Sequence, residues 1–236
     1  MNARPLLAEL HAHTTWSDGN LSLRSLVDLY GRRGFDVLCV TDHVTTSAAP
    51  ATGRITPTTW PDYLAAVEEE ADRALLAYGM LVVPGLELTD DDDDPSRSAH
   101  ALALGLRSFV CVDDGLDAGV RDARRAGAAI VAAHPHAPGE NHRATCRWWH
   151  ERDSPSIRPD RYELFNRNDV YAWIAERSLP CVATGDFHRR EHLNTWKTLL
   201  PCTKDEASVV AFLCSGRRSY LAPFPLGARL PLPAAA

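Results

Sequence analysis

A barrel-like α/β fold of about seven strands is what this chain predicts, on two observations. Apolar runs rich in Val, Leu, Ile and Ala alternate with longer amphipathic stretches, the pattern of parallel strands joined by crossover helices. Residues able to ligate metals stand at, or just past, the ends of almost all of those runs. A closed β/α barrel builds its active site there. An open doubly wound sheet satisfies the alternation too, but it binds its ligand at one switch point with only a few strands.

The elements follow in order. The first strand, Leu6 to His11, runs into His11-x-His13 and a Ser17-Asp18-Gly19 turn. Alternate residues of a strand share a face, so His11 and His13 point together. A helix over Leu21 to Arg33 precedes the second strand, Asp36 to Thr41, which delivers His43. The irregular segment Thr45 to Thr59 leads to a helix over Trp60 to Tyr78 and then to a third strand, Met80 to Leu86, followed by Glu87. The aspartate run Asp90 to Asp94 reads as a solvated, self-repelling loop. The fourth strand, His100 to Gly105, opens on His100; a helix over Leu116 to Ala126 and a fifth strand, Ala128 to Ala133, lead to His134. A second irregular segment, Pro135 to Pro159, can wall a pocket as Thr45 to Thr59 can. The sixth strand, Arg161 to Phe165, meets Asn166-Arg167 and a helix over Asp169 to Arg177, and the seventh, Cys181 to Thr184, ends in Asp186-x-His188. A helix over Asp205 to Cys214 completes a single domain, residues 1–221, and 222–236 read as a Pro- and Ala-rich tail.

Composition sets limits on function. The 236 residues are 45% hydrophobic and 24% charged, ordinary for one large soluble domain. A net charge of −6 gives no general attraction to a polyanion, so extended nucleic acid is not expected. Six scattered cysteines without a Cys-x-x-Cys pair read as reduced thiols. No stretch approaches the roughly 18 apolar residues of a membrane span or has the form of a signal peptide, so a cytoplasmic location is expected.

Nine side chains form the candidate metal set: His11, His13, Asp18, His43, Glu87, His100, His134, Asp186 and His188. Imidazole and carboxylate are ligands that suit zinc, manganese and iron. Singly, each reads as a core hydrogen bonder or a loop residue. Converging at one end of a fold, nine such groups would be uncompensated polar burial unless metals neutralised them. Clustered divalent cations bind phosphoryl oxygens as Lewis acids and lower the pKa of water toward about 7. Neither a Gly-x-Ser-x-Gly elbow nor a Cys-His pairing supports a covalent nucleophile instead. Asp186 is placed to relay a proton, and His136 and His192 are candidates to protonate the leaving group or touch phosphate. Arg167 is the leading phosphate clamp, because a planar guanidinium matches two oxygens; Lys197 and Arg189 are weaker candidates. Arg143 and Arg147 belong to the segment after His134 and can close over a substrate. Asp42 either orients a ligand or caps local backbone. Trp148 and Trp149 read as packing before base stacking, and His142 and His150 as surface positions.

With His-x-His and Ser-Asp-Gly, Thr41-Asp42-His43, Pro84-Gly85-x-Glu87, His100, Ala133-His134-Pro135 and Gly185-Asp186-x-His188 in this order, the chain resembles the PHP (polymerase and histidinol phosphatase) metal-dependent phosphoesterases over nearly its whole length. The resemblance implies a distorted seven-stranded (β/α)7 barrel, TIM-barrel-like, with its metal site at the strand C-terminal ends and two or three divalent transition metals (Zn, Mn or Fe). It assigns a first metal to His11, His13, Glu87 and Asp186, a second to Glu87, His100 and His134, and a third to Asp18, His43 and His188. Tyr78-Gly79-Met80, Asn166-Arg167 and Trp196-Lys197-Thr198-Leu199 look most like the small stand-alone members. The expected activity is hydrolysis of a small phosphomonoester by metal-activated water. Alternatives are a phosphodiesterase or nuclease on short nucleotides, an amidohydrolase, and a noncatalytic metal-bound regulatory module. Amidohydrolases on related barrels often carry a barrel lysine, and the seven strands above contain none.

Overall fold

The computed structural model describes residues 4–139 and 145–225. In chain order its elements are β1 (Leu6–Glu9), α1 (Leu23–Arg32), β2 (Val37–Val40), β3 (His43–Val44), α2 (Trp60–Tyr78), β4 (Leu81–Asp90), β5 (Ala99–Leu104), α3 (Leu116–Arg125), β6 (Ala129–Ala133), α4 (Arg147–His150), β7 (Arg161–Asn166), β8 (Asp169–Val170), α5 (Ala172–Glu176), β9 (Cys181–Thr184), β10 (Trp196–Leu200), α6 (Glu206–Cys214) and β11 (Tyr220–Pro223). The seven expected strands and five expected helices are among them. The expected helix from Asp169 starts later, because Asp169 and Val170 turn back on β7 as β8.

These strands do not close into a seven-stranded (β/α)7 barrel. Their pairing follows one open path, β11-β10-β1-β2-β4-β5-β6-β7-β8, with β3 beside β4 and β9 beside β7, a mixed and curled half-barrel. Two local causes break the parallel pattern. Only residues 91–98 join β4 to β5, too few for the dozen or so that a parallel crossover needs, so β5 pairs antiparallel with β4. In addition β10, which the hydrophobic pattern does not single out, lies antiparallel along β1, with Leu6 opposite Leu200 and Ala8 opposite Thr198. It occupies the β1 edge that closure would require. Across from β10, the Thr198 hydroxyl accepts from Ala183 N and donates to Ala183 O, both at 2.9 Å.

The sheet sorts the core by parity. Leu6, Ala8 and Leu10 join Val37, Cys39, Val83, Leu102, Val131 and Val182 in one buried cluster that α6 enters with Val209, Phe212 and Leu213. Leu7, Leu38, Val40 and Leu86 join the larger cluster formed with α1, α2 and α3. Ser22 caps α1, accepting from Ser25 N, and Gly79, at φ 63°, ends α2 in the left-handed region that glycine permits. β11 crosses the expected start of the tail, and Phe224 packs on Phe35 with ring centroids 4.8 Å apart; residues 226–236 lie outside the described residues. All six cysteines are unbridged. No helix among the described residues is long and apolar enough to cross a membrane.

Candidate metal centre

Backbone pairing brings the histidine motifs together. Just past β1 and β9, Ala12 bridges Phe187 in parallel, with His13 N donating to Phe187 O at 2.8 Å and Phe187 N to His11 O at 3.0 Å. His11-x-His13 and Asp186-x-His188 thus run side by side. Register places His43 opposite Glu87 and His100 opposite Ala133, the residue before His134. His134 and Asp186 have φ of 29° and 41°, left-handed values unusual for residues with a Cβ.

Eight of the nine candidates form three overlapping donor groups among the described residues: His11, His13 and Glu87; Glu87, His100 and His134; and His13, Asp18, His43 and His188; Asp186 borders the first of them. Glu87 Oε2 lies 3.2 Å from His11 Nε2, 3.3 Å from His13 Nε2 and 3.1 Å from His43 Nδ1. Its Oε1 lies 3.0 Å from His100 Nδ1 and 2.9 Å from His134 Nε2. Asp186 Oδ1 lies 3.5 and 3.4 Å from the Nε2 atoms of His11 and His13. Asp18, on its exposed turn, faces His43 and His188. Both His11 Nε2 and His13 Nε2 are buried with no hydrogen-bond partner. Such orphaned nitrogens, aimed with carboxylates at a shared space, fit divalent cations.

What holds the rings is a set of neighbours the sequence reading did not pick out. Glu163, wholly buried on β7, accepts from His11 Nδ1 at 2.9 Å, His134 N at 2.7 Å, Asn166 Nδ2 at 2.6 Å and Thr184 Oγ1 at 2.6 Å. Thr89 meets His43 Nδ1 at 2.8 Å, and Thr145 meets His134 Nδ1 at 3.1 Å. Asp91 accepts from His100 Nε2 at 3.0 Å. The aspartate run is therefore more than a solvated loop: Asp90 also accepts from Leu116 N at the start of α3, and Asp92 from Arg97.

Electrostatics follow from this crowding. Burial alone would raise the Glu87 and Asp186 carboxyls, but His11 and the other imidazoles hold both well below the usual range. Asp18, despite its partial burial, is drawn down to about 2 by His188 and His43. Burial opposes a charge on His100, yet Asp91 and Glu87 lift it to about 9; Asp18 and Asp186 do the same for His188. At His43 burial prevails and pushes the imidazole down to about 4.

The remaining candidates separate. Arg167 stands at the centre: its guanidinium lies 2.9 Å from Asp186 Oδ2 and 2.8 Å from His188 Nδ1, and its Nε donates to Asp186 O. Lys197 does not serve phosphate; wholly buried, it pairs with Glu9 at 2.7 Å. It is also the strand lysine that the seven expected strands lack. Arg189 is exposed and bonded to Glu191. His192 turns its Nδ1 inward, 3.2 Å from both His188 N and Asp186 O, while its Nε2 accepts from Arg189 Nε at 3.3 Å, so it braces the Asp186-x-His188 turn and has no proton to offer outward. His136 sits beside Thr145 and Tyr171, and burial lowers it to about 4, leaving it neutral near pH 7. Asp42 does both things expected of it: it accepts from Thr14 N and Thr14 Oγ1, and it holds the Ser17 hydroxyl, which in turn meets His13 Nδ1 at 3.5 Å. Trp148 is buried and donates to His100 O, while Trp149 carries Arg152 over its ring, so both pack. Arg147 is tied to Asp117 and Glu151. His150 is exposed. His142 and Arg143 lie outside the described residues.

No family model matches the chain. Over 101 residues it is 29% identical to a phosphoribosyl 1,2-cyclic phosphate 1,2-diphosphodiesterase of Eggerthella lenta, a match covering 43% of this chain and only 31% of that protein. A two-domain protein of Bacteroides vulgatus containing a predicted PHP-like metal-dependent phosphoesterase shares the fold, with a TM-score of 0.63 and 17% identity over 92% of this chain and 64% of that one. An amidohydrolase of Chromobacterium violaceum is similar at a TM-score of 0.50 and 15% identity, over 77% of this chain and 87% of that one. Motif order, fold and partial sequence match together bear out the resemblance to the PHP-like metal-dependent phosphoesterases.

Proposed function

We propose that this chain is a metal-dependent hydrolase of phosphoesters, acting on a small phosphorylated substrate, with a phosphomonoester as the first choice. The observation that carries it is the convergence of three donor groups on Glu87 and His13, with orphaned imidazole nitrogens inside. His11, His13, Glu87 and Asp186 would hold one ion, Glu87, His100 and His134 a second, and Asp18, His43 and His188 a third, with zinc, manganese and iron all suited to the donors. When bound, such ions act as Lewis acids toward phosphoryl oxygens and lower the pKa of water.

The protein's own groups supply the rest. Arg167, about a third exposed, turns its guanidinium along Asp186 and can meet phosphate oxygens with its open edge. Asp186 stands between His13 and Arg167 and can take a proton from attacking water. Leaving-group protonation falls to solvent or to a group near the mouth, since His192 faces inward and His136 is neutral. Asp91, exposed beside His100, keeps the rim acidic and disfavours a long polyanion.

A phosphodiester is the second reading, favoured by the partial match to a diphosphodiesterase. Elemental analysis of freshly purified protein, paired with hydrolysis of an aryl phosphate and a bis-aryl phosphodiester, separates the two. Bound divalent metal with metal-dependent release of the aryl alcohol is expected, and His11→Ala should abolish it while the protein stays folded. Absence of hydrolysis after zinc, manganese or iron is restored would overturn the proposal.

A further inference from the structure

Beneath the donor groups lies an ion pair that is closed to solvent. Glu9 and Lys197 are both wholly buried and 2.7 Å apart. Glu9 Oε1 accepts from His11 N at 3.3 Å and from Gly185 N at 2.8 Å, as well as from Leu10 N; Oε2 accepts from Tyr30 at 3.1 Å. One carboxylate thus holds the backbone of His11 and that of the residue preceding Asp186. Lys197 adds Thr195 Oγ1 at 2.7 Å and His192 O at 3.4 Å, and His192 in turn bonds Asp186 O. The fit at Gly185 is close: a Cβ there would collide with Lys197 Nζ, Glu9 Oε2 and His192 O.

A buried ion pair seldom stabilises a fold more than apolar side chains of the same volume would. This one lies under the two segments whose spacing decides whether His11, His13 and Asp186 converge. We infer that the Glu9–Lys197 pair is a positioning element that sets the distance between the His11 and Asp186 backbones and so shapes the donor group around Glu87. The inference rests on the metal-centre reading above.

The test is a Glu9→Gln/Lys197→Met double variant of the full chain. It removes both charges together and leaves a carbonyl oxygen to accept from Gly185 N. Cobalt(II) serves as the probe in both proteins. The variant should keep a cooperative melting transition near that of the wild type, bind cobalt roughly ten-fold or more weakly in chelator competition, and show an altered visible absorption spectrum. With metal in excess, kcat for an aryl phosphate should fall while KM changes little. Wild-type cobalt affinity and spectrum in the folded variant would overturn the positioning role. Loss of the melting transition with metal present would overturn it as well, by assigning the pair to the fold. Wild-type protein that takes up no cobalt would remove the metal-centre reading, and this inference with it.

Discussion

An imidazole ligand is aimed by whatever grips its far nitrogen, and at His11 that grip is Glu163. The same carboxylate fixes His134 N, so one residue orients candidate ligands of two donor groups. Glu163→Gln turns one acceptor into a donor among three further hydrogen-bond donors. Metal affinity measured by chelator competition should fall by roughly 10–100-fold, and an unchanged affinity would contradict this role. Arg167 is tested by kinetics. A hydrogen bond to a charged group contributes about 1.5–3 kcal/mol, so Arg167→Met should lower kcat/KM for an aryl phosphate by roughly 10–100-fold, chiefly through KM, with metal content retained. The nine candidate ligands were legible because each sits in a local pattern: His-x-His, Ser-Asp-Gly, Asp-x-His, or a lone His or Glu after an apolar run. Glu163 was not, since an acid inside Arg-Tyr-Glu-Leu-Phe reads as the solvent face of an alternating strand. Only the pairing of β7 with β6 and β9 buries it under His11. Lys197 misled for the converse reason: a lysine in a short run suggests exposure, and Glu9, far away in sequence, is what allows it to be buried.

Elements place the candidate ligands, and their turns are as demanding as their strands. A Cβ on Gly19 would press on the main chain of His13 and Thr14, so the turn carrying Asp18 folds flat against the His13 backbone. Main-chain atoms cannot yield as a flexible side-chain end can. Gly19→Ala should destabilise the protein by about 1–3 kcal/mol and swing Asp18 away from His43 and His188. Thermal melting together with metal stoichiometry checks this; a variant with wild-type melting and full metal content would refute it. Three of the strands that the sequence does not announce lack a readable apolar period. β3 and β8 are two residues each, too short to carry a period, and β10 holds Lys197 and Thr198 where an apolar alternation would be sought. With β10 illegible, its antiparallel seat on β1, which occupies the edge that closure would require, is illegible too. Strand positions can be read locally, whereas sheet closure depends on which edge a late strand occupies.

At the scale of the whole molecule, proton and metal compete for one crowded centre. Without metal, His100 and His188 are lifted to about 9 by neighbouring carboxylates. Groups with a raised folded-state pKa contribute stability that is fully present below their unfolded pKa, about 6.5, and lost as pH rises through about 9. Asp18 acts in the opposite direction: drawn down to about 2, it contributes stability present above about 4 and lost as pH falls toward 2. From these groups, metal-free protein gains most between about pH 4 and 6.5. Metal-loaded protein should respond in reverse, because a ligating imidazole must be neutral and acid therefore expels the metal. Metal uptake near pH 7 should release protons, seen in calorimetry as a heat that varies with the ionisation enthalpy of the buffer. Ligand binding stabilises by about 2.7 kcal/mol when free metal is 100 times its Kd, and 1 kcal/mol shifts Tm by about 2–4 °C for a domain of this size. The Tm gap between loaded and chelator-treated protein should thus be small at pH 6 and widen toward pH 9, reaching about 5–10 °C once the metal is well above its Kd. A gap that stays constant or narrows over that range would mean that these imidazoles are not the groups the metal must deprotonate.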